Sequence, residues 1–350
     1  MENKMGRIFE KEKVDFLWQE VPEPGEKEVL LKIEASLICG SDLHIFRDRH
    51  PSVQLPVTVG HEFSGTVLKT GSGVKKFREG DRVVVEPAIP CGQCAACKRG
   101  NYGYCENLTF TYRCGHGAMA PYFVGAEDRM YHLPDEVSFE KGALAEPLAV
   151  AVHAVKRADI RMGDCVAITG AGAIGIMIAS ICRKLGAREV VISDFSPERL
   201  KMAKELGATR TVLASEENLE EVVAGLSHGA GFEKAFECVG LEATFRQLLN
   251  CMKVNGLVTD VGIFEKPLIQ MDVSCLVKKE LRIQGAQGYC WDFEDALQLL
   301  TELPYEKLIT HHFPLEDLQT ALETAGNPKS GAIKVCITPQ GAEGGTYGRI

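Results

Sequence analysis

The chain has 350 residues, is 45% hydrophobic and 25% charged, and carries a net charge of −9. That length gives room for two domains with sizeable cores, and the composition is that of an ordinary water-soluble globular protein. The acidic balance excludes an electrostatic case for nucleic acid or an anionic membrane surface, and no run of ~18 apolar residues is present to span a bilayer.

The N-terminal Met-Glu-Asn-Lys-Met-Gly-Arg has no apolar signal core, so a cytoplasmic protein is expected. Short strands open the chain. Val29 to Ile33 reads as one, after a turn at Pro22, Pro24 and Gly25. Ser36 to His44 then gathers polar and potential metal-binding side chains. Gly60-His61-Glu62 leads into further strands at Thr66–Lys69 and Arg82–Val85, with glycines 71, 73 and 80 in the turns. Short strands punctuated by glycine predict a small barrel-like β-domain. Cys39, His61 and Glu62 offer the S, N and O ligands that zinc accepts. Singly, each has a plainer reading, as buried thiol, structural imidazole or solvated carboxylate. Their weight lies in the combination.

The chain holds thirteen cysteines, an odd number, and a reducing compartment disfavours disulfides. Metal binding is the better account. Cys91, Cys94, Cys97 and Cys105 follow the spacing C-x2-C-x2-C-x7-C. Four thiolates on one loop close a tetrahedron around zinc and leave no open position, so the role is structural. An iron–sulfur cluster is the rival, but nothing else here calls for one-electron chemistry.

Val166–Thr169 reads as a buried parallel strand, followed by Gly170, Gly172 and Gly175 in the order G-x-G-x-x-G. The first glycine allows a tight turn, the second a close approach of phosphate, and the third close packing of helix on strand. Ala173 and Ile174 lie within this loop, and Ile174 to Leu185 forms the covering helix, whose N-terminus suits a pyrophosphate. The next strand, Val190–Ile192, runs into Asp194, 19 residues after Gly175. A carboxylate there accepts from ribose hydroxyls and repels a 2′-phosphate, which favours NAD over NADP. Arg199 is the opposing signal, a cation able to meet that phosphate.

Ser196 and Pro197 mark a helix start, continued by Leu200–Leu206. Strands are predicted over Phe232–Val239, Leu257–Gly262 and Leu281–Gly285, which makes a doubly wound parallel sheet with crossover helices. A helix over Phe293–Leu300 and a strand over Ile333–Ile337 return to the first domain, and the Gly-rich tail 340–350 is expected to fray. The predicted organisation is a catalytic domain of residues 1–149 and 286–350, with the cysteine lobe at 91–105, and a nucleotide-binding domain of residues 150–285.

Cys39-Gly40-Ser41-Asp42, Gly60-His61-Glu62, the cysteine loop, Glu146-Pro147-Leu148 and the glycine loop occur in one order. Over nearly the whole chain, from about Val29 to Ile337, that series resembles the zinc-dependent medium-chain dehydrogenase/reductase family. Gly142–Leu148, Gly288–Cys290 and Thr310–Leu315 look most like its sorbitol (polyol) dehydrogenase branch, and threonine dehydrogenases share much of this. The resemblance implies a GroES-like β-rich catalytic domain and a Rossmann NAD-binding domain, with two zinc ions per chain. Cys39 and His61 would bind the catalytic zinc. Glu62 would be a third ligand or a partner that moves in and out, and Glu146 would face the metal directly or through water. Ser41 and His44 would relay the proton, and Asp42 would orient His61. The four lobe cysteines would hold the structural zinc. A homotetramer or homodimer is also implied.

The chemistry needs such a metal. An alcohol has a pKa of about 16 and a histidine about 6.5, a gap of roughly 12 kcal/mol that His44 alone does not bridge. The sequence departs from the family at Pro121, where a glutamate is usual, at Ile45 for tyrosine, and at Gly288 for arginine. The last two positions touch substrate in the family, so sorbitol itself is in doubt. Ile45, Phe46, Arg47, Phe110, His116 and Gln287 are candidate pocket residues, and Arg47 and Arg113 candidates for gripping a phosphate. The expected activity is oxidation of a secondary alcohol, a polyol or sugar alcohol, to the ketone. The alternatives are a hydroxy amino acid such as threonine, a phosphorylated polyol, or a non-enzymatic zinc-containing binding protein on the same fold.

Overall fold

The computed structural model describes residues 2–50, 52–266 and 268–339; the tail expected to fray lies outside them. The chain clusters into two compact units, one built from residues up to Glu146 and from Phe293 onward, the other from Pro147–Asp292. Among the described residues no helix is long and apolar enough to cross a membrane.

The first unit opens with a hairpin, β1 (Glu2–Glu10) on β2 (Lys13–Glu20), that turns at Glu12 with a positive φ of 58°. β3 (Glu28–Leu37), α1 (Gly40–Phe46), β4 (Val57–Thr58), β5 (Glu62–Thr70) and β6 (Arg82–Val85) follow. The lobe adds β7 (Ala88–Ile89), α2 (Ala95–Lys98) and β8 (Thr109–Phe110), and β9 (Tyr122–Ala126) and β10 (Met130–His132) complete the run. β3 is the spine, antiparallel to β5 from Val29 to Leu37 with two register shifts, and to β9 at its start. Its inward residues Val29, Leu31 and Ile33 pack with Phe63, Val83 and Phe123. Two helices end this stretch: α3 (Phe139–Ala143) and α4 (Ala145–Ala158), the latter carrying Glu146 in its first turn.

The second unit alternates strand and helix: β11 (Cys165–Thr169), α5 (Ala173–Lys184), β12 (Glu189–Asp194), α6 (Pro197–Glu205), β13 (Arg210–Leu213) and α7 (Leu219–Leu226). It continues with β14 (Phe232–Glu237), α8 (Glu242–Cys251), β15 (Met252–Asp260), α9 (Ser274–Lys279) and β16 (Arg282–Gly285). The six strands are all parallel, in the order β13-β12-β11-β14-β15-β16. Every residue of the central β11 is buried, as a strand covered on both faces requires. The order reverses between β11 and β14, the point where such sheets bind ligands. β14 stops at Glu237, because Gly240 turns the chain at a φ of +83°. The two ends of this unit are tied together. Asp292, almost fully buried, accepts from His153 Nδ1 at 2.9 Å and Lys156 Nζ at 2.7 Å. Burial alone would raise its carboxyl; these donors hold it below the usual range.

The chain then completes the first unit with α10 (Phe293–Glu302), β17 (Ile309–Pro314), α11 (Leu318–Gly326) and β18 (Lys334–Thr338). β18 pairs antiparallel with β3 and parallel with β17, giving a main sheet in the order β10-β6-β5-β3-β18-β17.

Candidate active site and metal centres

Strand pairing brings the first ligand set together. Leu37 at the end of β3 faces Glu62 at the start of β5, so Cys39, two residues on, lies against His61. The ligand atoms of Cys39, His61 and Glu62 all lie within 4.8 Å of one another. His61 enters through Gly60, whose φ is +94° and whose added Cβ would stand 2.7 Å from the Met119 nitrogen. No other residue fits there. Cys39 caps α1, and the buried Asp42 carboxylate accepts its N–H at 2.9 Å. Ser41 and His44 stand three residues apart on α1, and so on one face of it.

Asp42 Oδ1 lies 3.6 Å from His61 Nδ1, too far for a hydrogen bond, and that buried nitrogen has no other partner. Nε2 lies 3.4 Å from the Ser41 hydroxyl. Burial would raise the Asp42 carboxyl, yet the facing imidazole and two backbone N–H groups hold it below its ordinary value. Burial would lower His61, and the charges of Asp42 and Cys39 outweigh it, raising the imidazole well above its ordinary value. The surroundings thus favour positive charge at this spot. A borderline-soft divalent cation fits that field and the S, N, O donor set.

One residue escapes the sequence reading. Lys334 on β18 is buried, and its Nζ reaches both Glu62 oxygens at 2.5 Å. Burial would lower its ammonium; Glu62, with Cys39 and Glu146 beyond it, raises it instead. The available signal was a lysine inside the apolar run Ala332–Ile337. Glu146 is 7% exposed and lies outside the close trio.

The four lobe cysteines also bring their sulfurs within 4.8 Å of one another. Backbone N–H groups point at them: Cys91 N to Cys105 Sγ at 3.2 Å, and Cys94 N to Cys91 Sγ at 3.4 Å. The N–H groups of Cys97 and Glu106 pull the Cys94 thiol down to about 6, whereas burial and its sulfur neighbours push Cys97 up to about 12. All thirteen cysteines are free thiols. Four converging sulfurs with N–H support fit a closed tetrahedral zinc site.

In the second unit, Gly170 turns with a φ of +92°, and a Cβ on Gly175 would stand 1.9 Å from the Gly170 oxygen. A Cβ on Gly172 would meet nothing within 4 Å. That open space lies at the cap of α5, which begins at Ala173 and Ile174 and has no side chain on its first N–H groups. The cradle fits a dinucleotide pyrophosphate. Asp194 accepts from the Ala171 N–H at 2.7 Å and the Ser196 N–H at 2.9 Å, which fixes it beside the glycine loop. Arg199 lies in the first turn of α6, its N–H on the Ser196 cap.

The candidate substrate residues do not gather. Ile45 and Phe46 are buried in the core with Leu318 and Val335. Arg47 donates to the Gly326 carbonyl at 2.7 Å. Gln287 and His116 are exposed. Arg113 lies over Phe110 and Tyr112 and donates to Ser52 Oγ at 3.1 Å; the Tyr112 ring is 5.3 Å from that of His61.

Residues 25–135 match the alcohol dehydrogenase GroES-like domain family, and residues 173–302 the zinc-binding dehydrogenase family. The chain is 37% identical over 319 residues to an L-threonine 3-dehydrogenase of Alteromonas mediterranea, covering 89% of this chain and 93% of that one. It is 35% identical over 333 residues to a sorbitol dehydrogenase of Halalkalibacterium halodurans, covering 93% and 96%. A Sinorhizobium meliloti 1021 structure, described as a zinc-binding dehydrogenase bound to NADP, superposes with a TM-score of 0.90 at 30% identity, covering 97% of this chain and all of that one (100%).

Proposed function

The chain belongs to the zinc-dependent medium-chain dehydrogenase family and is an NAD(P)-dependent alcohol dehydrogenase, and from that premise we propose that it oxidises a secondary alcohol of the polyol class with NAD. The observation that carries the reading is the convergence of Cys39, His61 and Glu62 beside the Ser41 and His44 face of α1. Cys39 and His61, with a carboxylate from Glu62 or Glu146, would hold the catalytic zinc, and Cys91, Cys94, Cys97 and Cys105 the structural one. Zinc held there would supply Lewis-acid polarisation of a substrate oxygen, and a bound nicotinamide would supply the hydride acceptor. The protein's own residues do the rest. The Asp42 carboxylate, 3.6 Å from Nδ1, favours a His61 ring position that leaves Nε2 for the metal. Ser41 Oγ would accept the hydroxyl proton as its own proton passes to His44, one turn further along α1, which releases it to water. Lys334 holds Glu62 in place and balances its charge. Asp194 receives the adenosine ribose and opposes a 2′-phosphate, so NAD is the working cofactor.

A second reading has its own observation. With Arg47 occupied by Gly326, Arg113 stands above the aromatic wall that leads to His61. His50 nearby is held below its ordinary value, first by burial and then by the Arg113 charge. A cation there suits a secondary alcohol with an anionic end, such as a hydroxy amino acid or a phosphorylated polyol. The test is NAD and NADP reduction against free polyols, phosphorylated polyols and threonine, repeated with Arg113→Gln. Turnover of free polyols with NAD, unchanged in the variant, supports the first reading. Turnover confined to anionic substrates and lost in the variant establishes the second.

A further inference from the structure

The first unit contains a second S, N, O trio that the dehydrogenase chemistry does not use. Glu140, His312 and Cys336 bring one ligand atom each to within 4.8 Å of the others. It repeats the donor types of Cys39, His61 and Glu62, and it lies outside both expected zinc sites. A strand pair and a helix build it. His312 on β17 and Cys336 on β18 are register partners in a parallel pair, so their side chains leave the sheet on the same side. Glu140 sits in the first turn of α3, which is capped by Ser138 and pinned to β5 by the Ser64 hydroxyl on the Phe139 carbonyl at 2.5 Å. His312 Nε2 and Glu140 Oε2 are 3.3 Å apart. Cys336 is fully buried beneath them, and its thiol makes a weak hydrogen bond, 3.8 Å to the Ile337 carbonyl. The His312 and Glu140 side chains are 31% and 45% exposed, so an ion could enter from solvent.

We propose that Glu140, His312 and Cys336 form a third metal site, which takes a borderline-soft divalent cation such as Zn2+ or Co2+ and leaves a position open to water. An imidazole and a thiolate exclude Mg2+ and Ca2+, which want oxygen ligands throughout. Binding releases the Cys336 thiol proton to water, and His312 Nε2 and a Glu140 oxygen donate lone pairs to the ion instead of facing each other. The ion links the two C-terminal strands to α3. That linkage adjoins Lys334 on β18 and Glu146 just beyond α3, so occupancy stiffens the frame of the active site without entering it.

The test starts from holoenzyme with its resident zinc. Co2+ is added at micromolar concentration, zinc and cobalt are counted after gel filtration, and the thiolate-to-cobalt charge-transfer band and the unfolding temperature are recorded. The expected result is one cobalt per chain beyond an unchanged zinc content, with the band present and the unfolding temperature raised. Cys336→Ser removes the band, and His312→Gln weakens cobalt binding at least about tenfold. His312 is half-exposed, so its variant decides the matter even if Cys336→Ser fails to fold. Absence of an extra equivalent overturns the proposal and leaves an ordinary Glu140–His312 ion pair above a buried thiol. Cobalt taken up only by displacing zinc, or an extra equivalent undiminished in His312→Gln, overturns it as well.

Discussion

A lysine in the middle of an apolar strand needs a carboxylate or must give up its charge. Lys334 meets Glu62, and removing either partner strands the other in a dry interior. Lys334→Met is expected to cost about 3–5 kcal/mol in urea unfolding, while Lys334→Met with Glu62→Gln costs clearly less than the two singles combined. Additive costs would mean that the pair is not coupled. Asp42 acts on His61 rather than on substrate. Asp42→Asn should weaken zinc binding about 10–100-fold in chelator competition, while the fold and the lobe zinc persist. Asp260, at the end of β15 beside its register partner Glu237, has a buried Oδ1 without a hydrogen-bond partner. Burial and then the Glu237 charge push its carboxyl up to about 6. A raised carboxyl means that the folded state binds the proton more tightly, so this group's contribution declines as pH rises from about 4 to 6. Asp260→Asn should therefore gain on the order of 1 kcal/mol at pH 7.5, after discounting for solvent screening, and the gain should shrink toward pH 4. A gain independent of pH would assign the effect to packing. That Cys39, His61 and Glu62 form one cluster was legible in the sequence, because zinc accepts few donor types. The Lys334 countercharge was not, because nothing local ties it to a carboxylate 272 residues away.

At the scale of elements, the three glycines of the nucleotide loop do different work, and substitution separates them. Gly172→Ala meets no protein atom, so stability should stay within about 0.5 kcal/mol while the NADH dissociation constant rises at least about tenfold in a fluorescence titration. Gly175→Ala drives a Cβ onto the Gly170 carbonyl and should lower stability by about 1–3 kcal/mol even without cofactor. Equal effects on stability would contradict this division. The glycine spacing, the buried run of β11 and the Ser196-Pro197 start of α6 were legible because each is a local rule, and the structure has Ser196 accepting the Arg199 N–H. β13 was not, since Arg210–Leu213 is short and its pattern is weak. α1 was not either. Its start rests on Cys39 and on Asp42 reaching back to the Cys39 N–H, a cap that resembles a ligand cluster in the sequence. The β1–β2 hairpin gave only a vague strand signal, because β2 is mostly exposed and lacks a clear apolar stripe.

For the whole molecule, the sheet of the second unit ends at β16, and Ile283 on that strand and Val277 before it are 40% and 82% exposed. Among the described residues only β15 pairs with β16, and such an edge with apolar neighbours would suit pairing between copies of this chain. Ile283→Lys should shift light scattering toward smaller species without lowering NADH affinity; an unchanged mass would place the contact elsewhere. The alternation of strand and helix after residue 160 made the parallel sheet readable, whereas the Asp292 clasp to His153 and Lys156 was invisible, because its donors are more than a hundred residues upstream. The discontinuous first unit also has a consequence in time. Ribosomes add roughly 5–20 residues per second, so Glu62 emerges about 14–54 s before Lys334, 272 residues later. Until then β3 has no β18 beside it and the Glu62 carboxylate has no ammonium to meet. A nascent or truncated chain therefore carries a raw, water-seeking charge where the finished one is dry. The strand that carries Lys334 is thus a late check on the catalytic half: chaperones and proteases would find that half open until β18 has been made.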